Sequence, residues 1–303
     1  MTTNWKKFLA AGIVVAFLVA LPLAVDRANV LSVVFLIFLF IILSQSWNIL
    51  GGYAGQINLG HAVFFGLGAL ITRYLWFSGV PLPLALFLGG MAALLFGLMI
   101  GSPAFRLKGA YFVIGMLAVA EVLRIIVSNA LPAISAMPVQ YIAGYSLLPR
   151  YYLGLGVAVA IVAGVYVLSI SRLGLAMVAI REDQDTADAS GIPIVTYKIV
   201  ALGLSSFIAG LAGGIFAFFH VSYYPAHPFA VHWTFDALFI AYIGGIGTVI
   251  GPIIGALFYV GLREIFALLL PAEIHTIVFG ILFILVILLM PHGLVEVPKR
   301  VHR

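Results

Sequence analysis

The 303-residue sequence contains no cysteine and only 25 charged side chains, 15 basic and 10 acidic, or 8% of the total. A soluble domain carries about a quarter charged residues, so a water-soluble fold is excluded. The lack of cysteine excludes disulfides and thiolate metal sites and leaves the compartment undecided. Also missing is the alternation of polar and apolar residues that a membrane β-barrel requires. There is no G-x-x-x-x-G-K-[ST] phosphate loop and no recognisable nucleophile–base or metal-ligand set, so enzyme chemistry on this chain is not expected. The net charge of +5 is no sign of nucleic-acid binding, because membrane proteins gather basic residues in their cytoplasmic loops.

What the sequence has is apolar length: 64% of residues are hydrophobic and the mean hydropathy is +1.22. A membrane-spanning helix takes about 20 mostly apolar residues. Ten runs qualify in part or in full: Phe8–Val25, Val30–Leu50, Ile57–Phe77, Leu84–Ile100, Tyr111–Val127, Tyr151–Ile170, Ile199–Phe219, the short Phe235–Ile243, Val249–Phe266 and Ile274–Met290. The expectation is an all-α polytopic transmembrane bundle of about ten spans, broken at glycine-rich points, within one domain, 1–303. The first run follows Lys6 and Lys7 and can be read as a cleaved signal peptide, although the spans that follow at once favour a retained helix.

With the N-terminus in the cytoplasm and strict alternation, ten basic residues fall inside: Lys6, Lys7, Arg106, Lys108, Arg172, Arg181, Lys198, Lys299, Arg300 and Arg303. Five fall outside or at outer helix ends: Arg27, Arg73, Arg124, Arg150 and Arg263. This matches the positive-inside bias and puts both termini and the loop 171–198 in the cytoplasm.

That loop, SRLGLAMVAIREDQDTADASGIPIVTYK, holds seven of the 25 charges. Residues 176–181 can extend the preceding helix. Asp183 can then cap a short helix, Gln184–Ser190, with Asp185 favourable in its first turn, Gly191 as its stop and Pro193 preventing continuation. On charge alone it could equally be a solvated connector.

Residues 44–61 form a second polar stretch. Ser44 and Asn48 share a helix face, Gly51, Gly52 and Gly55 interrupt the helix, and Gln56, Asn58 and His61 follow. Polar backbone at membrane depth is tolerated where it is buried in protein or lines a cavity, and broken helices expose such groups in several transporters. Gln45, Asn48, Gln56, Asn58 and His61 therefore read either as a substrate path or inner gate, or as ordinary interhelical hydrogen-bonding groups. Gly247, Gly251 and Gly255, like the pairs 210–214 and 97–101, have the spacing of close helix packing. Glu121 and Arg124 suit a local ion pair. His220, His227 and His232 have no common metal-ligand spacing, and their segment, His220–Thr234, reads as an exposed outer loop.

Several blocks together carry a family resemblance. They are Gly52-Tyr53-Ala54-Gly55-Gln56, then Arg181-Glu182-Asp183 with Gly191-Ile192 and Tyr197-Lys198, then Ser205 to Gly213, and Gly244-Gly245-Ile246-Gly247 with Gly251-Pro252. In this order, over most of residues 40–260, the chain resembles Liv-type branched-chain amino acid ABC permeases, and the M-type subunit most. The resemblance implies a permease domain of an importer in the bacterial cytoplasmic (inner) membrane. It implies two ABC ATPase subunits that bind ATP and Mg, a homologous H-type permease subunit and an external solute-binding protein, with no cofactor on this chain itself. It makes loop 171–198 the ATPase-coupling segment. Ile180, Arg181, Glu182, Asp183, Asp185, Ala187, Asp188 and Gly191 are its candidate residues, with Ile180 and Ala187 expected to pack into the partner's groove. The cargo implied is a branched-chain or other small neutral amino acid. Urea, short amides and small organic acids are alternatives within the family, and an ion-coupled carrier using Glu121, Asp236 or Glu264 is the alternative outside it.

Overall fold

The computed structural model describes residues 2–25, 27–107, 109–131, 134–269, 278, 280–281 and 293–294. In lipid a helix satisfies its own backbone hydrogen bonds, and the long apolar runs fold accordingly. The first half holds α1 (Thr2–Ala24), α2 (Ala28–Asn48), α3 (Ala62–Phe77), α4 (Leu82–Ala104) and α5 (Ala110–Ala130). A connection with the two-residue strand β1 (Ser135–Ala136) and the single turn α6 (Val139–Ile142) leads into α7 (Leu147–Ile170). The charged loop forms α8 (Arg172–Glu182) and α9 (Gln184–Ala189), and α10 (Ile194–Phe219) follows. After β2 (Ser222–Tyr223) and a 3₁₀ turn (His227–Phe229) come α11 (His232–Gly244) and α12 (Gly251–Leu269). β1 and β2 pair antiparallel, Ser135 opposite Tyr223.

Six of these segments are long and apolar enough to cross a membrane: Ala28–Tyr53, α4, α5, α7, α10 and α12. Leu9–Ala24 and α3 are shorter apolar helices. Ten full spans are therefore not what the described residues contain. Residues 55–61, at the start of the third run, are not helical, and α11 has only 13 residues. The last expected span, 274–290, and the basic tail with Lys299, Arg300 and Arg303 lie outside the described residues, as does Lys108.

The centre is built around α10, which packs against α3, α4 and α2. Small residues permit this. A Cβ on Gly213 would fall on the Phe65 carbonyl, and one on Gly68 would fall on the Gly210 carbonyl. On α4, Gly97 and Gly101 face Ser206 and Leu202 of α10. Without side chains between them, the helices gain backbone-to-backbone dispersion contact, which replaces the hydrophobic drive that lipid cannot supply.

Two buried arginines fasten the opposite end of α10. Arg73 is 3% exposed and donates to the carbonyls of Ala217 and His220 at 2.6 Å, Val221 at 2.7 Å and Ser135 at 3.0 Å. Arg150 donates to Phe218 O at 3.0 Å and Ser146 O at 2.6 Å and stacks on Tyr145 and Phe218. The Ala217, Phe218 and His220 carbonyls end α10 and have no intrahelical donors; the guanidinium forks supply them. Glu121 and Arg124 form the local ion pair that their spacing suggests, at 2.5 Å.

The segment His220–Thr234 is not the exposed loop expected from its polarity. Tyr223, Phe229, Trp233 and Thr234 are buried, and the Phe229 ring occupies the space where a Cβ on Gly66 would sit. The aromatic residues draw the segment inward against α3.

The close helix contact gives a test. Gly213→Ala should lower the thermal unfolding midpoint of the detergent-solubilised chain, with an overpacking cost of about 1–3 kcal/mol. Gly156→Ala, where a Cβ meets nothing within 4 Å, should leave the midpoint unchanged.

Candidate functional site at two helix breaks

Past Asn48, α2 widens into one π turn, Ile49–Tyr53. Gly55 then takes a left-handed conformation, φ 68°, and an irregular stretch leads to the start of α3. The second break lies after α11, where Gly245 and Gly247 have φ of 129° and 73°. The two breaks touch: a Cβ on Gly52 would meet Gly247 N and the Asn48 side chain.

Irregular backbone leaves N–H and C=O groups without helical partners, and such groups are costly in a membrane interior. α2 supplies replacements. The Gly247 N–H donates to Asn48 Oδ1 at 2.8 Å, and Asn48 Nδ2 donates to Thr248 O at 2.9 Å. One turn earlier, Gln45 Nε2 donates to Val249 O at 2.6 Å. Trp47 Nε1 donates to Asn58 O at 3.0 Å, and the Gly60 N–H donates to Asn58 Oδ1 at 2.8 Å. His61 Nε2 lies 2.7 Å from Ser46 Oγ. Ser205 of α10 donates to Ser46 O at 2.7 Å. The Ala62 N–H opening α3 donates to Thr234 Oγ1 at 2.8 Å.

Gln45, Asn48, Asn58 and His61 are all fully buried, while Gln56 is half-buried. In this conformation Gln45 and Asn48 tie one break to the other, while Gln56, Asn58 and His61 bond within or beside the first. Gln45 Oε1, Asn58 Nδ2 and His61 Nδ1 are buried without hydrogen-bond partners among the described residues. Gly251 and Gly255 do serve packing, against the carbonyls of Gly245 and Ile240. Gly247 does not belong with them: its positive φ puts it in the break, and a Cβ there would meet Arg181 Nη1.

Arg181 joins the charged loop to both breaks. Its Nη1 donates to Gly52 O at 2.7 Å, and its Nε and Nη2 contact Glu182 Oε1 at 3.1 and 2.5 Å. A Cβ on Gly55 would also meet the Arg181 chain. Arg181 thus reaches the first break while remaining exposed at the surface of the loop.

The rest of the loop follows its punctuation. Ser171 caps α8 by accepting from the Gly174 N–H at 3.2 Å. Asp183 caps α9 by accepting from the Thr186 N–H at 2.8 Å, and that bond holds its carboxyl below the usual pKa. Gly191, with φ 79°, closes α9. Lys198 Nζ donates to Gln184 Oε1 at 3.1 Å. Glu182, Asp183, Asp185, Asp188 and Gly191 are exposed. Ile180 and Ala187 are only 1% and 3% exposed. They cannot enter a partner's groove as expected, because they already form the inward faces of α8 and α9.

A cavity of about 620 Å³ lies apart from the breaks, among α2, the end of α10, the first turns of α11, and α12. His220, His227 and His232 all reach it, as do Asp236 and Arg263. Asp236 Oδ1 accepts from the Tyr259 hydroxyl at 2.6 Å. Among the described residues no group of His, Asp and Glu is placed to hold a metal ion. The three histidines were legible as a cluster. The aromatic walls that other helices add around them were not.

Residues 29–287 match the family described as branched-chain amino acid transport system / permease component. The chain belongs to this family. Two similar proteins are the high-affinity branched-chain amino acid transport system permease proteins LivM of Salmonella typhimurium (strain LT2) and Escherichia coli (strain K12). Each is 27% identical over 331 residues, covering 98% of this chain and 76% of the relative. The probable branched-chain amino acid transport permease protein LivM of Methanocaldococcus jannaschii is 25% identical over 330 residues, covering 88% of this chain and 93% of the relative. No solved structure matches the chain. The polytopic helical bundle is thus a permease component of a transport system in a membrane, rather than an enzyme.

Two expected outcomes follow from the clamp and the cap. Asn48→Ala removes a donor and an acceptor that serve half-buried backbone groups, at up to about 1–3 kcal/mol for each group left unpaired; the unfolding midpoint in detergent should fall. The Asp183 cap is present above the usual carboxylate pKa and is lost as pH falls through its depressed value. Hydrogen exchange at the Thr186 amide, corrected for its intrinsic pH dependence, should accelerate over that window, and Asp183→Asn should abolish the pH response.

Proposed function

We propose that this chain is the permease subunit of an ATP-driven importer that moves branched-chain or other small neutral amino acids into the cytoplasm. In this reading the protein sits in a bacterial inner membrane with about ten spans and both termini in the cytoplasm. It pairs with a homologous H-type permease, receives cargo from an external solute-binding protein, and is driven by two ATPase subunits that carry ATP and Mg. The LivM relatives support the amino-acid cargo. The 1–303 chain acts as one permease domain, and 171–198 is its coupling segment.

The observation that carries the mechanism is the hydrogen bond from Arg181 to the Gly52 carbonyl. The acidic, exposed side of α8 and α9 meets the ATPase through Glu182, Asp183, Asp185 and Asp188. When the ATPases close, α8 moves and Arg181 carries that displacement to both helix breaks at once. The breaks are held by Asn48 and Gln45, and their rearrangement opens the inner gate. The unpartnered atoms of Gln45, Asn58 and His61 give the rearranged backbone alternative hydrogen-bond partners, which keeps the barrier between the two states low.

The test is ATP hydrolysis by the reconstituted transporter. Arg181→Ala should lower leucine-stimulated ATPase activity several-fold, while the subunits still assemble and the chain still inserts. Replacing Glu182, Asp185 and Asp188 together with Ala should instead weaken recovery of the ATPase with the permease. Full stimulation with Arg181→Ala would show that the latch does not transmit the stroke.

A further inference from the structure

The cavity among α2, α10, α11 and α12 lies away from the gate residues that the sequence suggested, and its position can be derived. α11 ends at Gly244, in the cluster held by Arg181 of the cytoplasmic loop. Its 13 residues extend about 20 Å, short of the about 30 Å thickness of the bilayer core. With loop 171–198 at the cytoplasmic face, as proposed above, the start of α11 lies inside the membrane, where His232 and Asp236 face the cavity. Substrate sites in transporters with broken helices lie at this depth, beside the half-helix start.

The lining is chemically divided. Asp236 supplies a carboxylate and Arg263 a guanidinium to the same cavity, and Leu36, Phe216 and Phe239 supply apolar wall. Tyr259, 7% exposed, donates to Asp236 Oδ1 and so fixes the carboxylate's orientation. The first N–H groups of α11 are already used: Trp233 N donates to Ala230 O and Thr234 N to Val231 O. An anion here must be met by side chains rather than by the helix end. A carboxylate within a membrane is costly and points to function by default. The volume of about 620 Å³ falls within the about 300–1,000 Å³ usual for small-molecule sites.

We propose that this cavity is a subsite for the transported amino acid, with Asp236 receiving the α-ammonium, Arg263 receiving the α-carboxylate, and the apolar wall enclosing an aliphatic side chain. The inference rests on the reading of the chain as an amino-acid permease. It deepens that reading by placing recognition of the zwitterion on this subunit, in addition to any external binding protein. A solute lacking its ammonium or its carboxylate would lose one of the two polar contacts, and sites built on such contacts discriminate strongly against analogues that lack the matching group.

The absence of cysteine from the chain makes a direct test practical. Leu36→Cys introduces a single thiol in the cavity wall, and its alkylation rate in the reconstituted transporter reports occupancy. Leucine should slow alkylation. The analogue without the ammonium, 4-methylpentanoate, and the one without the carboxylate, 3-methylbutylamine, should not. With Asp236→Asn added, the leucine concentration giving half-protection should rise about tenfold or more, as expected for loss of a charged hydrogen bond. Arg263→Gln should act likewise. The alkylation rate without ligand checks that each variant keeps its fold, and leucine uptake by the otherwise unchanged transporter checks the cargo. If leucine is not taken up, the amino-acid reading and the subsite both fail. If leucine is taken up but neither slows alkylation nor responds to Asp236→Asn and Arg263→Gln, the permease reading stands and the subsite is overturned.

Discussion

A polypeptide that breaks its helices inside lipid must find new partners for the backbone groups it frees, and this structure is arranged around that requirement. The two breaks, after Asn48 and after Gly244, each expose N–H and C=O groups. They solve the problem jointly. Asn48 gives a donor and an acceptor to the second break, and Arg181 reaches from the surface loop to the first. Glycine is required where the two chains meet, because any side chain at Gly52 or Gly247 would occupy the space that these bonds use.

The solution has a mechanical side. Helices α3, α4 and α10 are held by glycine-mediated backbone contact and behave as one packed unit. The breaks are held by a handful of side-chain hydrogen bonds, and several buried polar atoms beside them have no partner among the described residues. In the proposed cycle these side-chain bonds, rather than the glycine-packed unit, are the ones that rearrange, as an element that must move requires. The irregular backbone and the charged loop, remote in sequence, are neighbours for that reason.

Much of this was legible in the sequence, and the parts that were not share a cause. Long apolar runs identified most of the membrane helices. The Asp183 cap and Gly191 stop located α9 to within one residue at its end, because local capping chemistry is written in adjacent positions. The polar face of α2 was visible too. Its partners were not: Thr248 and Val249 lie about 200 residues away and contribute only backbone, which leaves no signature in residue type. Ile180 and Ala187 were assigned outward because helix periodicity gives a face but does not say what covers it. The cavity is assembled from several separate elements and could not be read from any one of them.

The clamp made by Arg73 has a consequence for the order in which the protein is made. Arg73 is synthesised within α3, but its acceptors at Ser135, Ala217, His220 and Val221 follow by 62 to 148 residues. Until those residues emerge, the charge at the end of a short apolar helix must remain in the interfacial water or among lipid headgroups. The nascent chain thus carries a temporary hydrophilic anchor at that helix end. Arrival of the α10 terminus withdraws the anchor from water and locks the bundle, so the guanidinium serves first as a topology marker during biogenesis and then as internal structure.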